Sequence, residues 1–87
     1  MPQYEVLFTA SADKALQKLP GIAQKRVAAA AKELRDNPRP HGCVKLKDED
    51  DLWRIRVGDY RIVYTIEDDE LIVLVVRVAH RRDVYRG

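Results

Sequence analysis

The 87-residue chain is long enough for one small core, so a single domain spanning residues 1–87 is expected. Its 46% hydrophobic content excludes a disordered segment, and a lone cysteine, Cys43, excludes an internal disulfide or a thiol-rich metal site. No basic leader followed by an apolar stretch opens MPQYEVLF, and the longest apolar run, Leu71–Val76, is too short to span a membrane; a reducing, cytosolic setting is expected.

Tyr4 to Phe8 alternates loosely and reads as a first strand. Ser11 can cap a helix whose Ala12, Ala15, Leu16 and Leu19 share one face, and Pro20-Gly21 breaks it. The second helix is the clearest element, with Ala23, Val27, Ala30, Ala31 and Leu34 in one apolar stripe and Lys25, Lys32 and Arg35 outside it. The prolines of Asn37–Gly42 make that segment a loop. Cys43 to Lys47 reads as a short strand, followed by an acidic loop. Leu52–Val57, Tyr60–Ile66 and Leu71–Ala79 read as three further strands. Leu71–Val76 is apolar throughout, which predicts a central strand covered on both faces. The expected fold is α+β: an N-terminal strand, a two-helix hairpin, then a four-stranded antiparallel meander, with the helices on one sheet face.

The net charge of +2 hides a partition. Eight of the 14 acids lie in Asp48–Asp51 and Glu67–Glu70, whereas the segments between and after them carry Arg54, Arg56, Arg61, Arg77, Arg81, Arg82 and Arg86. No lysine follows Lys47. Arginine without lysine suits two-pronged phosphate recognition; a salt-bridged surface is the plainer alternative.

Gly58-Asp59 between two alternating runs predicts a two-residue hairpin that sets Arg56 opposite Arg61. Trp53, Ile55, Val57, Tyr60, Ile62 and Tyr64 would then face the core, and Arg54, Arg56 and Arg61 the other side. Opposed like charges cost stability, which makes sense if a polyanion sits between them. The alternative is a bridge from Arg56 or Arg61 to the acids at 48–51. A three-residue loop, Asp68–Glu70, would pair Glu67 with Leu71 and Arg61 with Arg77, bringing Arg61, Arg77 and Arg81 to one surface. A two-residue loop would bury Arg77.

The ordered combination of Leu52–Tyr64 (LWRIRVGDYRIVY), the acidic hairpin and Val78–Tyr85 (VAHRRDVY) resembles toxins of the RelE/ParE superfamily, the RelE type in particular. Leu19-Pro20, Asn37-Pro38-Arg39-Pro40 and Lys45-Leu46-Lys47 fit the same pattern, so the resemblance covers essentially the whole chain. It implies a toxin of a type II toxin–antitoxin system that enters the ribosomal A site and cuts messenger RNA. The RNA 2′-hydroxyl attacks the adjacent phosphate, leaving a 2′,3′-cyclic phosphate and a 5′-hydroxyl without metal or other cofactor. The expected partners are the ribosome, mRNA and an adjacently encoded antitoxin that wraps the enzyme. The resemblance puts the family's central arginine on Arg61, its later arginine on Arg81, its C-terminal tyrosine on Tyr85 and the paired lysines of some members on Arg54 and Arg56. The expected catalytic residues are Arg56, Arg61, Arg81 and Tyr85, and the expected RNA contacts are Lys45, Lys47, Arg54, Arg77 and Arg82.

Arg54 and Arg56 stand where some relatives have lysines. An arginine stays charged and is a poor base, though it stabilises developing phosphate charge. The proton acceptor is therefore open between Tyr85 and His80, and strand parity turns His80 away from Arg81. His41 reads as loop surface and Cys43 as a small core residue. Two other functions fit the same scaffold: a ParE-like poison of DNA gyrase, and a non-catalytic RNA-binding regulator.

Overall fold

The computed structural model describes residues 3–46 and 51–80. Strand β1 (Glu5–Phe8) leads into helices α1 (Ala10–Gln17) and α2 (Gly21–Glu33), then strands β2 (Val44–Lys45), β3 (Leu52–Val57), β4 (Tyr60–Glu67) and β5 (Ile72–His80). One five-stranded sheet has the order β1-β5-β4-β3-β2. The meander from β2 to β5 is antiparallel, as expected, and β1 adds to its far edge parallel to β5, with Glu5 opposite Ile72.

Thr9, and not Ser11, caps α1. Its extended backbone ends β1, where its N–H donates to the Val75 carbonyl at 2.9 Å, and its hydroxyl accepts from the Ala12 N–H at 3.2 Å. A cap must stand outside the helix, whereas Ser11 is already within the first turn. Pro20 precedes α2, whose stripe is buried as its spacing requires: Val27, Ala31 and Leu34 lie under the sheet with Ala12 of α1. The sheet contributes Ile55, Ile62, Tyr64, Val73, Val75 and Val78, and Val6, Phe8, Trp53, Val57 and Tyr60 close the margins. Alternation places all of these on the helix-bearing face.

Tyr64 is fully buried, and its hydroxyl donates to the Pro38 carbonyl at 2.7 Å. Burial pushes this phenol far above its ordinary pKa, with the nearby Cys43 adding to the shift and Arg39 opposing it. It thus stays a hydrogen-bond donor, pinning the Asn37–Gly42 loop to the central strand. Nearby, Arg39 forms a two-pronged pair with Asp68 (2.9 and 3.3 Å), and Tyr4 donates its hydroxyl to the same carboxylate at 2.7 Å. Loop, acidic hairpin and chain start are tied together at one point.

Two expectations about β5 are corrected. It lies between β1 and β4, one place off centre, and its two faces differ: Val73 and Val75 are buried under the helices, while Leu74 and Val76 on the other side remain half-buried. The preceding loop is also longer than expected. Glu67 pairs with Ile72 and not Leu71, because Leu71 adopts a left-handed conformation (φ 56°) that takes it out of the ladder.

Candidate nucleic-acid interface

The tight Gly58-Asp59 turn fixes the register that matters most. Gly58 has φ 61°, a conformation easily reached without a Cβ, and Val57 pairs with Tyr60 and Arg56 with Arg61. Paired residues share a face, so both arginines project from the side that carries no helix. One step along, Arg54 is opposite Val63, which is itself opposite Arg77. Four arginines from three neighbouring strands therefore occupy one end of the open face.

Arg77 reaches that face by a route different from the expected one. The four-residue loop at 68–71 would by parity alone send Arg77 to the core. A bulge between Val63 and Tyr64 corrects this: Tyr64 pairs with Val75, but Val63 pairs with Arg77, and β5 spends Val76 without a partner. Beyond the bulge Arg61 is opposite Ala79, not Arg77 as the shorter loop would have required. Arg61 and Arg77 are thus diagonal neighbours on a common surface.

The four side chains differ in depth. Arg56 and Arg77 are exposed and Arg54 is half-buried, but Arg61 is only 4% exposed. Burying a guanidinium is costly and holds its geometry, the property needed to stabilise charge at a fixed point. Toward the other end the same face turns apolar, with Leu52, Thr65, Leu74 and Leu7 in one cross-strand row. The Glu5–Ile72–Glu67 row closes it with acid.

Lys45 is not part of this cluster. It pairs with Trp53, whose side chain faces the helices, and its ammonium lies 5.9 Å from the Trp53 ring centroid, with Arg39 at 5.1 Å from the same centroid. His80 also projects to the helix side, edge-on to Tyr60 with ring centroids 5.3 Å apart. Lys47, Arg81, Arg82 and Tyr85 lie outside the described residues, as do the acids at 48–50. Among the described residues, no group of three or more His, Cys, Asp or Glu is placed to hold a metal ion.

The sequence profile of a known family meets this geometry directly. The family described as ParE toxin of type II toxin–antitoxin system, parDE, matches residues 6–85. The chain belongs to this toxin family. Among its curated relatives, Toxin RelE of Mycobacterium tuberculosis is 38% identical over 88 residues, covering 95% of this toxin and 87% of the relative. Toxin RelG of the same organism is 36% identical, with coverage of 95% and 97%. Solved structures agree. The toxin is similar to the archaeal RelE-RelB complex of Pyrococcus horikoshii, with TM-score 0.80 and 28% identity over 91% of this chain and 96% of the other. It is also similar to a toxin–antitoxin complex of M. tuberculosis, with TM-score 0.81 and 33% identity over 91% and 99%. The α+β order of strand, two helices and antiparallel strands is that of these neighbours.

One feature of the toxin's surface was not legible as a site. Beyond the two-residue β2, the edge of β3 opens into a cleft of about 370 Å³ lined by Glu33 of α2, His41 and Gly42 of the loop, and Arg54 and Arg56 of β3. Sequence reading left His41 on loop surface because the pairing of β2 was needed to bring it here. Val44 opposite Arg54 directs the preceding residues alongside Arg56.

Proposed function

We propose that this toxin is a ribosome-dependent endoribonuclease that cuts mRNA in the A site, with residues 1–87 acting as one domain in the cytoplasm. The observation that carries the reading is Arg56 directly opposite a buried Arg61, with Arg54 and Arg77 on the same open face. Four positive charges from three neighbouring strands, one of them buried, suit an RNA backbone laid across that end of the sheet. The RNA 2′-hydroxyl attacks the adjacent phosphorus, and the bond to the 5′-oxygen breaks. Arg61 and Arg56 stabilise the charge gathering on the non-bridging oxygens. Arg81 joins them, and Tyr85 moves a proton or stacks on a base. Arg54, Arg77, Arg82 and Lys47 contact the RNA strand more widely, and Lys45, turned to the helix side with Trp53, does not.

The partner is an antitoxin. The solved relatives are toxin–antitoxin complexes, which supports an equivalent complex here. A gyrase poison is a second reading, favoured by the ParE description of the matching family. Toeprinting of translated mRNA with purified toxin separates the two. A new 3′ end within the A-site codon is expected; intact mRNA together with gyrase-dependent DNA breaks would overturn the RNase reading.

A further inference from the structure

We propose that His41 is the proton acceptor for the attacking 2′-hydroxyl, working from the cleft at the edge of β3. The inference rests on the RNase reading. Arginines at 54 and 56 leave that reaction without a proton acceptor on β3, because a guanidinium keeps its charge at any physiological pH. The structure supplies one from elsewhere. His41 lines the same cleft as Arg54 and Arg56, and Arg56 is also the cross-strand partner of Arg61. Arg56 thus borders both the cleft and the face it shares with Arg61, so a phosphodiester held by that pair lies at the rim of the cleft. Imidazole is the side chain whose ordinary titration range suits proton transfer near neutrality.

The surroundings fit such a role. The Tyr64–Pro38 hydrogen bond and the Arg39–Asp68 pair anchor the loop on the N-terminal side of His41. Cys43 follows it into the core margin and donates its N–H to the Pro40 carbonyl at 3.0 Å, closing a tight turn around His41. The charged groups facing the imidazole across the cleft are Glu33 from α2 and Arg54 and Arg56 from β3. The Glu33 carboxylate is the acceptor available in the same cleft to orient the ring.

In the step proposed, neutral His41 takes the 2′ proton as the O2′–phosphorus bond forms. The phosphorus–O5′ bond breaks with its electron pair leaving on O5′, which takes a proton from water. The imidazolium then returns its proton to solvent, so protons balance and no oxidant or metal is consumed.

The test is single-turnover cleavage on programmed ribosomes by wild type and His41→Gln across pH 5.5 to 8.5, with ribosome occupancy measured in parallel. The expected wild-type rate rises with pH through the imidazole range and then levels. His41→Gln is expected to occupy ribosomes as wild type does, cleave about a hundredfold or more slowly, and lose that rising limb. Because His41 is exposed, the substitution should leave the thermal melt unchanged. Wild-type-like cleavage by His41→Gln, a retained limb, or a defect confined to occupancy each overturns the role of His41 while leaving the RNase reading intact. A wild-type protein that leaves A-site mRNA uncut overturns both.

Discussion

Arg56 and Arg61 face each other across β3 and β4, one exposed and the other 4% exposed. Such an asymmetric pair assigns different duties: the buried guanidinium holds a position, and the exposed one can move toward an incoming strand. Arg61→Ala should therefore reduce cleavage by about two to three orders of magnitude, the usual loss for one fixed transition-state donor. Arg56→Lys keeps the charge but loses the fork, and should cost less, with no new pH dependence near neutrality. Rates on programmed ribosomes check both, with circular dichroism confirming that each variant is folded.

Tyr64→Phe should destabilise the fold by about 1–2 kcal/mol, because it deletes a buried hydrogen bond and leaves the Pro38 carbonyl unsatisfied. For a domain of this size that is a fall of roughly 4–16 °C in Tm. If the melt is unchanged, the loop is not held through this hydroxyl.

The Arg39 and Tyr4 hydrogen bonds hold the Asp68 carboxyl below its usual pKa. A carboxylate lowered by folding adds stability that is present above its unfolded pKa of about 3.9 and lost as pH falls through the lower folded value. Asp68→Asn should thus be less stable than wild type at neutral pH, and the difference should shrink below about pH 4. Urea melts at pH 7 and pH 3 measure it. The groups are solvent-exposed, so high salt should shrink the difference as well.

Tyr85 separates chemistry from stacking. If its hydroxyl moves a proton, Tyr85→Phe should occupy ribosomes normally and cleave about two to four orders of magnitude more slowly. If the ring only stacks, Tyr85→Phe should be near wild type and Tyr85→Ala inactive. Full activity in Tyr85→Ala would remove the residue from the site.

Antitoxin binding should depend on charge where it covers the arginine face. A complex that resists high salt and leaves Arg61 accessible to a ligand would contradict that electrostatic contribution.

Periodicity and turn chemistry made most of this fold readable in advance. Gly58-Asp59 gave away the β3–β4 register, and the Val27–Ala31–Leu34 spacing the buried side of α2. The β4–β5 register was not readable, because Leu71 in a left-handed conformation and the Val76 bulge are two one-residue slips that cancel in parity. A sequence pattern records only their sum. The Arg39–Asp68–Tyr4 junction joins residues far apart in the chain, and no local signal announces it. The His41 cleft was hidden for the same reason: it exists only once β2 has paired with β3 and α2 has packed beside them.

The parallel pairing of Glu5 with Ile72 has a consequence for how the molecule comes into being. A ribosome delivers β1 first, yet β1 can join the sheet only after β5 has emerged, when both helices and three strands are already made. Long-range closure of this kind is slow, whereas the β3–β4 hairpin forms from neighbours. Until β5 docks, Arg77 is missing from the open face and Arg61 lacks its flanking strand. A chain still being synthesised therefore does not yet present the four-arginine end of the sheet.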